Sequence, residues 1–150
     1  MSSRKSSTQA GPAATLAAEM RTVFRKLKLR LREHGGRSDL TPSQVSVLLL
    51  LEKDGPATVS NLARAEGMRP QSMSAIIAAL LEAGLVGGSP DPNDGRQTLI
   101  SLTRRCEKRL REGRAARQDW LTTAIEKKLS AQEQEKLATA VDLLMRLAEE

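Results

Sequence analysis

Leu16, Met20, Val23, Phe24, Leu27 and Leu31 recur at steps of 4, 3, 1, 3 and 4 between residue 13 and about residue 33. Those steps trace one face of an α-helix. Arg21, Arg25, Lys28 and Arg32 line another face, and Gly35-Gly36 ends the pattern. Thr41-Pro42-Ser43-Gln44 predicts a second helix start. Thr41 caps, Pro42 suits the first helical position, and Gln44 completes a capping box. Val45, Leu48 and Leu49 follow, and Asp54-Gly55-Pro56 stops this helix. Thr58 opens a short helix carrying Val59, Leu62 and Ala63, which ends at Gly67. Another begins near Pro70 with Met73, Ile76, Ile77, Leu80 and Leu81, and Gly84 closes it.

The period then changes. Leu85–Ser89 reads as a strand, Pro90-Asp91-Pro92-Asn93-Asp94-Gly95 is dense turn chemistry, and Arg96–Leu102 reads as a returning strand. Thr103 caps a long helix to about Lys128. Ser130 and Glu133 form a capping box for a last helix with Leu137, Val141, Leu144 and Ala148 on one stripe. The expected fold is mainly α, of the α+β winged helix-turn-helix class, with about six helices and a β-hairpin wing. The turn between the two short helices holds Gly67, as a tight interhelical turn prefers. Residues 1–12 are expected to be a disordered tail, and 13–150 a single domain. Within it, about 41–103 form the reading head, and about 13–34 with 104–150 form a helical lobe.

Composition narrows the chemistry. A chain of 150 residues suits one domain with a real core. It holds one Cys (Cys106), one His (His34), one Phe (Phe24), one Trp (Trp120) and no Tyr. A His-based triad, a two-His metal site, a Cys–His pair and a Cys-rich zinc site all need more than this inventory holds. No enzyme activity, cofactor or metal is expected. Scarce aromatics also argue against single-strand binding, which needs stacking platforms. The longest apolar runs, Val47–Leu51 and Ala75–Leu81, are far shorter than the ~18 residues of a membrane span. No apolar segment of a secretory signal opens the chain. A cytoplasmic, reduced protein with no membrane partner is expected.

Charge is unevenly spread. Residues 1–40 carry 9 Lys/Arg against 3 Asp/Glu, residues 41–103 carry 4 against 6, and residues 104–150 carry 11 against 9. The net charge of +6 suggests a polyanionic partner, yet the reading head is slightly acidic.

Asp94-Gly95-Arg96-Gln97-Thr98-Leu99-Ile100-Ser101-Leu102-Thr103 fits an Asp-x-Arg, five residues, Leu-Thr pattern. Gly84-Leu85-Val86 and Pro90-Asp91-Pro92 precede it. In these motifs, and in element order over about 13–148, the sequence resembles the MarR (multiple antibiotic resistance regulator) family of bacterial transcription factors. The resemblance implies a homodimer whose first and last two helices interlock, with Leu16, Met20, Val23, Trp120, Leu137, Val141 and Leu144 at the interface. It implies a pseudo-palindromic double-stranded DNA operator, and release by a small aromatic or phenolic anion bound between the lobes. Gly87-Gly88 stand where relatives often carry a basic residue, and Gly95 where many have a second Arg, so the wing is less basic than theirs. The peroxide-sensing branch, with a first-helix Cys and nearby tyrosines, does not fit.

DNA-contact candidates follow from position. Arg96, near a hairpin tip, suits a narrow minor groove, with Asp94 able to orient it; the plain alternative is a solvated Arg96–Asp94 pair. Gln71, Ser72 and Ser74 fall in the first turn of the expected recognition helix, where base edges are read, and Arg69 just before them suits a phosphate or guanine. Ser43, Gln44, Thr58 and Ser60 stand at helix starts that serve equally as caps or phosphate sites. Met73, Ile76 and Ile77 read as core. Cys106 is either a small buried apolar residue or a thiol activated by Arg104, Arg105 and Arg109. His34 suits a helix C-terminus, and Trp120 and Phe24 suit core, interface or an aromatic effector. The Asp91–Gly95 loop lacks calcium-loop ligands, since Gly95 and Leu102 occupy two required positions. The expected function is a homodimeric transcriptional regulator, most simply a repressor with a small-molecule effector. The alternatives are a DNA-binding dimer without an effector and a helical protein–protein adaptor.

Overall fold

The computed structural model describes residues 11–37 and 39–150. The expected disordered tail therefore falls, up to residue 10, outside the described residues. Residues 11 and 12 belong to the first helix instead: α1 spans Pro12–His34, with Gly11 at its N-cap. The order continues α2 (Pro42–Asp54), β1 (Ala57–Thr58), α3 (Val59–Ala65), α4 (Pro70–Glu82), β2 (Val86–Pro90), β3 (Thr98–Leu102), α5 (Arg104–Lys128) and α6 (Ala131–Ala148).

Helix starts are fixed by short side chains. The Thr41 hydroxyl accepts the Gln44 N–H at 3.2 Å, while the Gln44 side-chain oxygen accepts the Thr41 N–H at 3.0 Å. Ser130 and Glu133 repeat the reciprocal pair at α6. Thr103 caps α5 by accepting the Cys106 N–H, and its hydroxyl donates to the Gly84 carbonyl at 2.8 Å. One threonine thus ties the end of α4 to the start of α5.

The hairpin gains a third strand. Antiparallel pairing runs β1-β3-β2, with Ala57 opposite Ile100, Val86 opposite Leu102 and Pro90 opposite Thr98. β1 is two residues long, too short to show an alternating pattern. It anchors the loop before α3 to the central strand.

One core lies under this sheet. Val47, Leu48 and Leu51 of α2, Leu62 and Ala63 of α3, and Met73, Ile77 and Leu80 of α4 meet Leu85, Val86, Ile100, Cys106 and Leu110. Met73 and Ile77 are buried and Ile76 packs partly against them, as their spacing implies. Neither α1 nor α6 buries a single residue within the chain. Leu16, Val23, Phe24 and Leu27 of α1 stand exposed, as do Val141, Leu143, Met145 and Leu147 of α6. No helix among the described residues is long and apolar enough to cross a membrane.

Candidate nucleic-acid interface

α3 and α4 form the helix-turn-helix. The turn works because Gly67 holds φ 63°, a left-handed conformation that costs other residues a clash. The Met68 N–H then returns to the Ala63 carbonyl at 2.9 Å. Burial of Met73, Ile77 and Leu80 fixes the rotation of α4 and turns its other face outward. Gln71 and Ser72 lie exposed in the first turn; Ser74 is exposed as well but opens the following turn. Arg69 is the exposed N-cap residue and makes no side-chain cap bond, so its side chain does not occupy the first free amides of α4.

The helix-start candidates divide. Ser43 and Ser60 are exposed in the first turns of α2 and α3. Gln44 is half-buried and engaged in its capping box. Thr58 is only 7% exposed, and its hydroxyl accepts the Asn61 N–H. Its side chain is spent on the cap inside the fold rather than presented to a phosphate.

At the wing, Asp91 and Asp94 build two successive Asx turns. The Asp91 carboxylate accepts the Asn93 N–H at 2.9 Å and the Asp94 carboxylate accepts the Arg96 N–H at 3.1 Å. The chain closes through Asp91 N–H to the Gln97 carbonyl at 2.9 Å. Asp94 thus orients Arg96 through its backbone. The alternative, an ion pair between the two side chains, is not among those formed by the described residues. Arg96 stands exposed at the hairpin end with its guanidinium available. Gly88 pairs with Ile100 in the same hairpin, and a Cβ on it would meet the diagonal Thr98 methyl at 2.9 Å.

Sequence reasoning missed the joint between the reading head and the long helices. Arg109 of α5 donates to the Gly36 carbonyl at 2.7 Å and pairs with Asp39. Arg114 forks onto Glu52 of α2, with contacts of 2.9 to 3.1 Å. Arg32 donates to the Leu40 carbonyl at 2.8 Å. The partners of Arg109 and Arg114 lie 62 to 73 residues away and leave no local signature. Burial first, then the neighbouring Arg117 and Arg114 charges, lowers the Arg37 pKa from the usual arginine range. Burial, then Arg114, does the same to Arg117.

Three aromatic or sulfur expectations resolve here. Cys106 is 1% exposed, and burial raises its pKa, with Arg109 as a weaker opposing influence. The activated-thiol alternative is overturned: desolvation outweighs the arginines. The His34 ring stacks on Trp120, with centroids 5.1 Å apart and planes 16° from parallel. Trp120, half-buried, is thus engaged inside its own chain. Leu16, Val23, Leu137 and Val141 are exposed, and Met20 and Leu144 half-buried.

Known proteins carry the same architecture. The MarR family profile matches residues 40–98, from the start of α2 into the third strand. An HTH-type transcriptional regulator of Mycobacterium tuberculosis is 35% identical over 137 residues, covering 91% of this chain and 95% of that protein. A Pseudomonas aeruginosa crystal structure, assigned as a candidate transcriptional regulator, superposes with a TM-score of 0.80 at 33% identity, covering 95% of this chain and 99% of that one. A point mutant of S. aureus MepR bound to an oligodeoxyribonucleotide shares the fold, with a TM-score of 0.73 at 18% identity over 89% of this chain and 98% of that one. The capped helix pair, the three-stranded wing and this identity along nearly the whole chain agree: the chain belongs to the MarR family of winged helix-turn-helix, DNA-binding transcriptional regulators.

Proposed function

We propose that the chain acts as a homodimer that binds a pseudo-palindromic double-stranded operator and represses transcription until a small aromatic or phenolic effector releases it. The observation that carries DNA reading is α4: its apolar face is locked into the core while Arg69, Gln71, Ser72 and Ser74 stand exposed at its N-terminal end. Arg96 at the wing tip supplies a planar donor group for the minor groove. Ser43 and Ser60 add exposed hydroxyls at helix starts, where backbone amides favour phosphate.

Dimerisation is supported by uncovered apolar side chains. Leu16 is 56% and Leu147 73% exposed, on helices that bury nothing within the chain. Faces of this kind mark interaction surfaces. The lobes divide at about 41–103 for reading and 13–34 with 104–150 for pairing. In the dimer, two α4 helices about one DNA turn (~34 Å) apart fit successive major grooves. An effector that favours another spacing weakens binding by its differential affinity and no more. The cytoplasm is the compartment where such a regulator meets its operator.

Selecting bound DNA from a random pool tests the reading; a palindrome is the expected outcome. Affinity falls with salt at a slope set by about 4–6 phosphate contacts per dimer, since counterions are released. The slightly acidic reading head keeps one rival alive, a protein–protein adaptor that retains the fold. A flat salt response with no selected sequence supports that rival.

A further inference from the structure

α4 points a single line of side chains directly away from the core. Met73, Ile77 and Leu80 fix the inward direction. At 3.6 residues per turn, Gln71, Ala75, Ala78 and Glu82 lie opposite, and all four are exposed. The line has a polarity. Its N-terminal end carries an amide, its middle two methyl groups, and its C-terminal end a carboxylate. Glu82 sits poorly against a phosphate backbone, so the N-terminal half is the part suited to enter a groove. Alanines there keep the helix slim and let it approach base edges closely.

We infer that Gln71 and Ala75 are the specificity-determining pair of this regulator, and that each half-site carries an adenine under Gln71 and a thymine methyl under Ala75. The inference rests on the DNA-reading function proposed above. A Gln side chain matches the adenine N6/N7 edge with two hydrogen bonds, and an alanine methyl matches the thymine C5-methyl. Four residues of helix rise about 6 Å, close to two base-pair steps of ~3.4 Å each. The two preferences are therefore about two base pairs apart. No Lys or Arg lies within α4, so guanine has no bidentate partner along this line.

Two steps test it. Selection from a random pool with the full-length protein defines the half-site. Anisotropy then compares that operator with one in which single thymines are replaced by deoxyuridine, which lacks only the methyl. At one position per half-site, the wild type binds the uracil operator about fourfold more weakly for each methyl lost. Ala75→Gly abolishes the thymine-over-uracil ratio there. That ratio is taken within one protein, so a loss of helix stability in the variant cancels. Gln71→Ala relaxes the adenine preference about two base pairs away and leaves the thymine–uracil ratio intact. Half-sites with G·C at both positions, or uracil operators bound as tightly as thymine at every position, overturn the inference and leave the regulator reading standing. A pool that yields no enriched sequence overturns both.

Discussion

Gly113 of α5 lies so close to the carbonyl oxygen of Gly35 that a Cβ on Gly113 would stand under 3.0 Å from it. The contact brings the end of α1 against the middle of α5, and the Arg117 side chain fills the space beside Gly35. Glycine inside a helix ordinarily costs stability. Here it permits two backbones to meet.

Replacing that glycine therefore reverses the usual sign. Gly113→Ala is expected to destabilise by about 1–3 kcal/mol, because the neighbour is backbone and cannot swing aside. Gly95→Ala is the control: nothing lies within 4 Å of its Cβ position. It is expected to stay within about 0.5 kcal/mol of wild type. Thermal melting of the two variants side by side decides the matter.

Arg96 is the sole basic residue between Arg69 and Arg104, so no neighbour in the wing replaces it. In the proposed dimer, Arg96→Ala removes one operator contact from each half. Contacts of this kind are worth on the order of 1–3 kcal/mol each, which makes operator binding at least about tenfold weaker. Melting is expected to be unchanged, because the side chain is exposed and its turn is held by the backbone bond to Asp94. Arg96→Lys restores part of the affinity, since it keeps the charge without the donor fork. Anisotropy on the selected operator reads both effects; full affinity in the alanine variant removes the wing from the interface.

The Cys106 thiol is buried, and burial raises its pKa. A thiol that ionises later when folded stabilises fully below the unfolded pKa and loses that contribution as pH rises. The window opens above about pH 8.5, where an unfolded thiol ionises. Stability is expected to decline there, and Cys106→Ala to flatten that decline. A thiol reagent is expected to label the native protein slowly and the denatured protein at once. Rapid native labelling at neutral pH contradicts the burial.

Removal of residues 129–150 takes away α6, whose exposed apolar side is the proposed pairing surface. The product is expected to aggregate or to remain monomeric, without operator binding. Light scattering gives the answer. A soluble monomer with intact affinity would show that Leu137, Val141 and Leu144 pair with nothing.

Local chemistry made most of the fold legible. Thr41 with Gln44 and Ser130 with Glu133 announce helices because a cap needs only residues three apart. Thr103 and Thr58 do the same. The burial of Thr58 was not legible, because it depends on β1 joining a strand some 40 residues later, with Ala57 opposite Ile100. Arg109 with Asp39, and Arg114 with Glu52, were invisible for the same reason. Within the candidate interface, sequence periodicity separates the core side of α4 from its outer side. It assigned Ser74 one turn too early because the helix begins at Pro70 and the first turn closes at Met73. That Asp94 orients Arg96 was legible from their spacing of two, which suits a turn through the Arg96 backbone N–H; the alternative of a side-chain pair is not what forms.

The stack of His34 on Trp120 has a practical consequence. This chain has one tryptophan and no tyrosine. Its tryptophan emission therefore comes from one place, the crossing of α1 and α5, with the imidazole ring stacked beside it. Any ligand or neighbouring molecule that separates the two rings changes the surroundings of the sole tryptophan, and nature has in effect supplied the label.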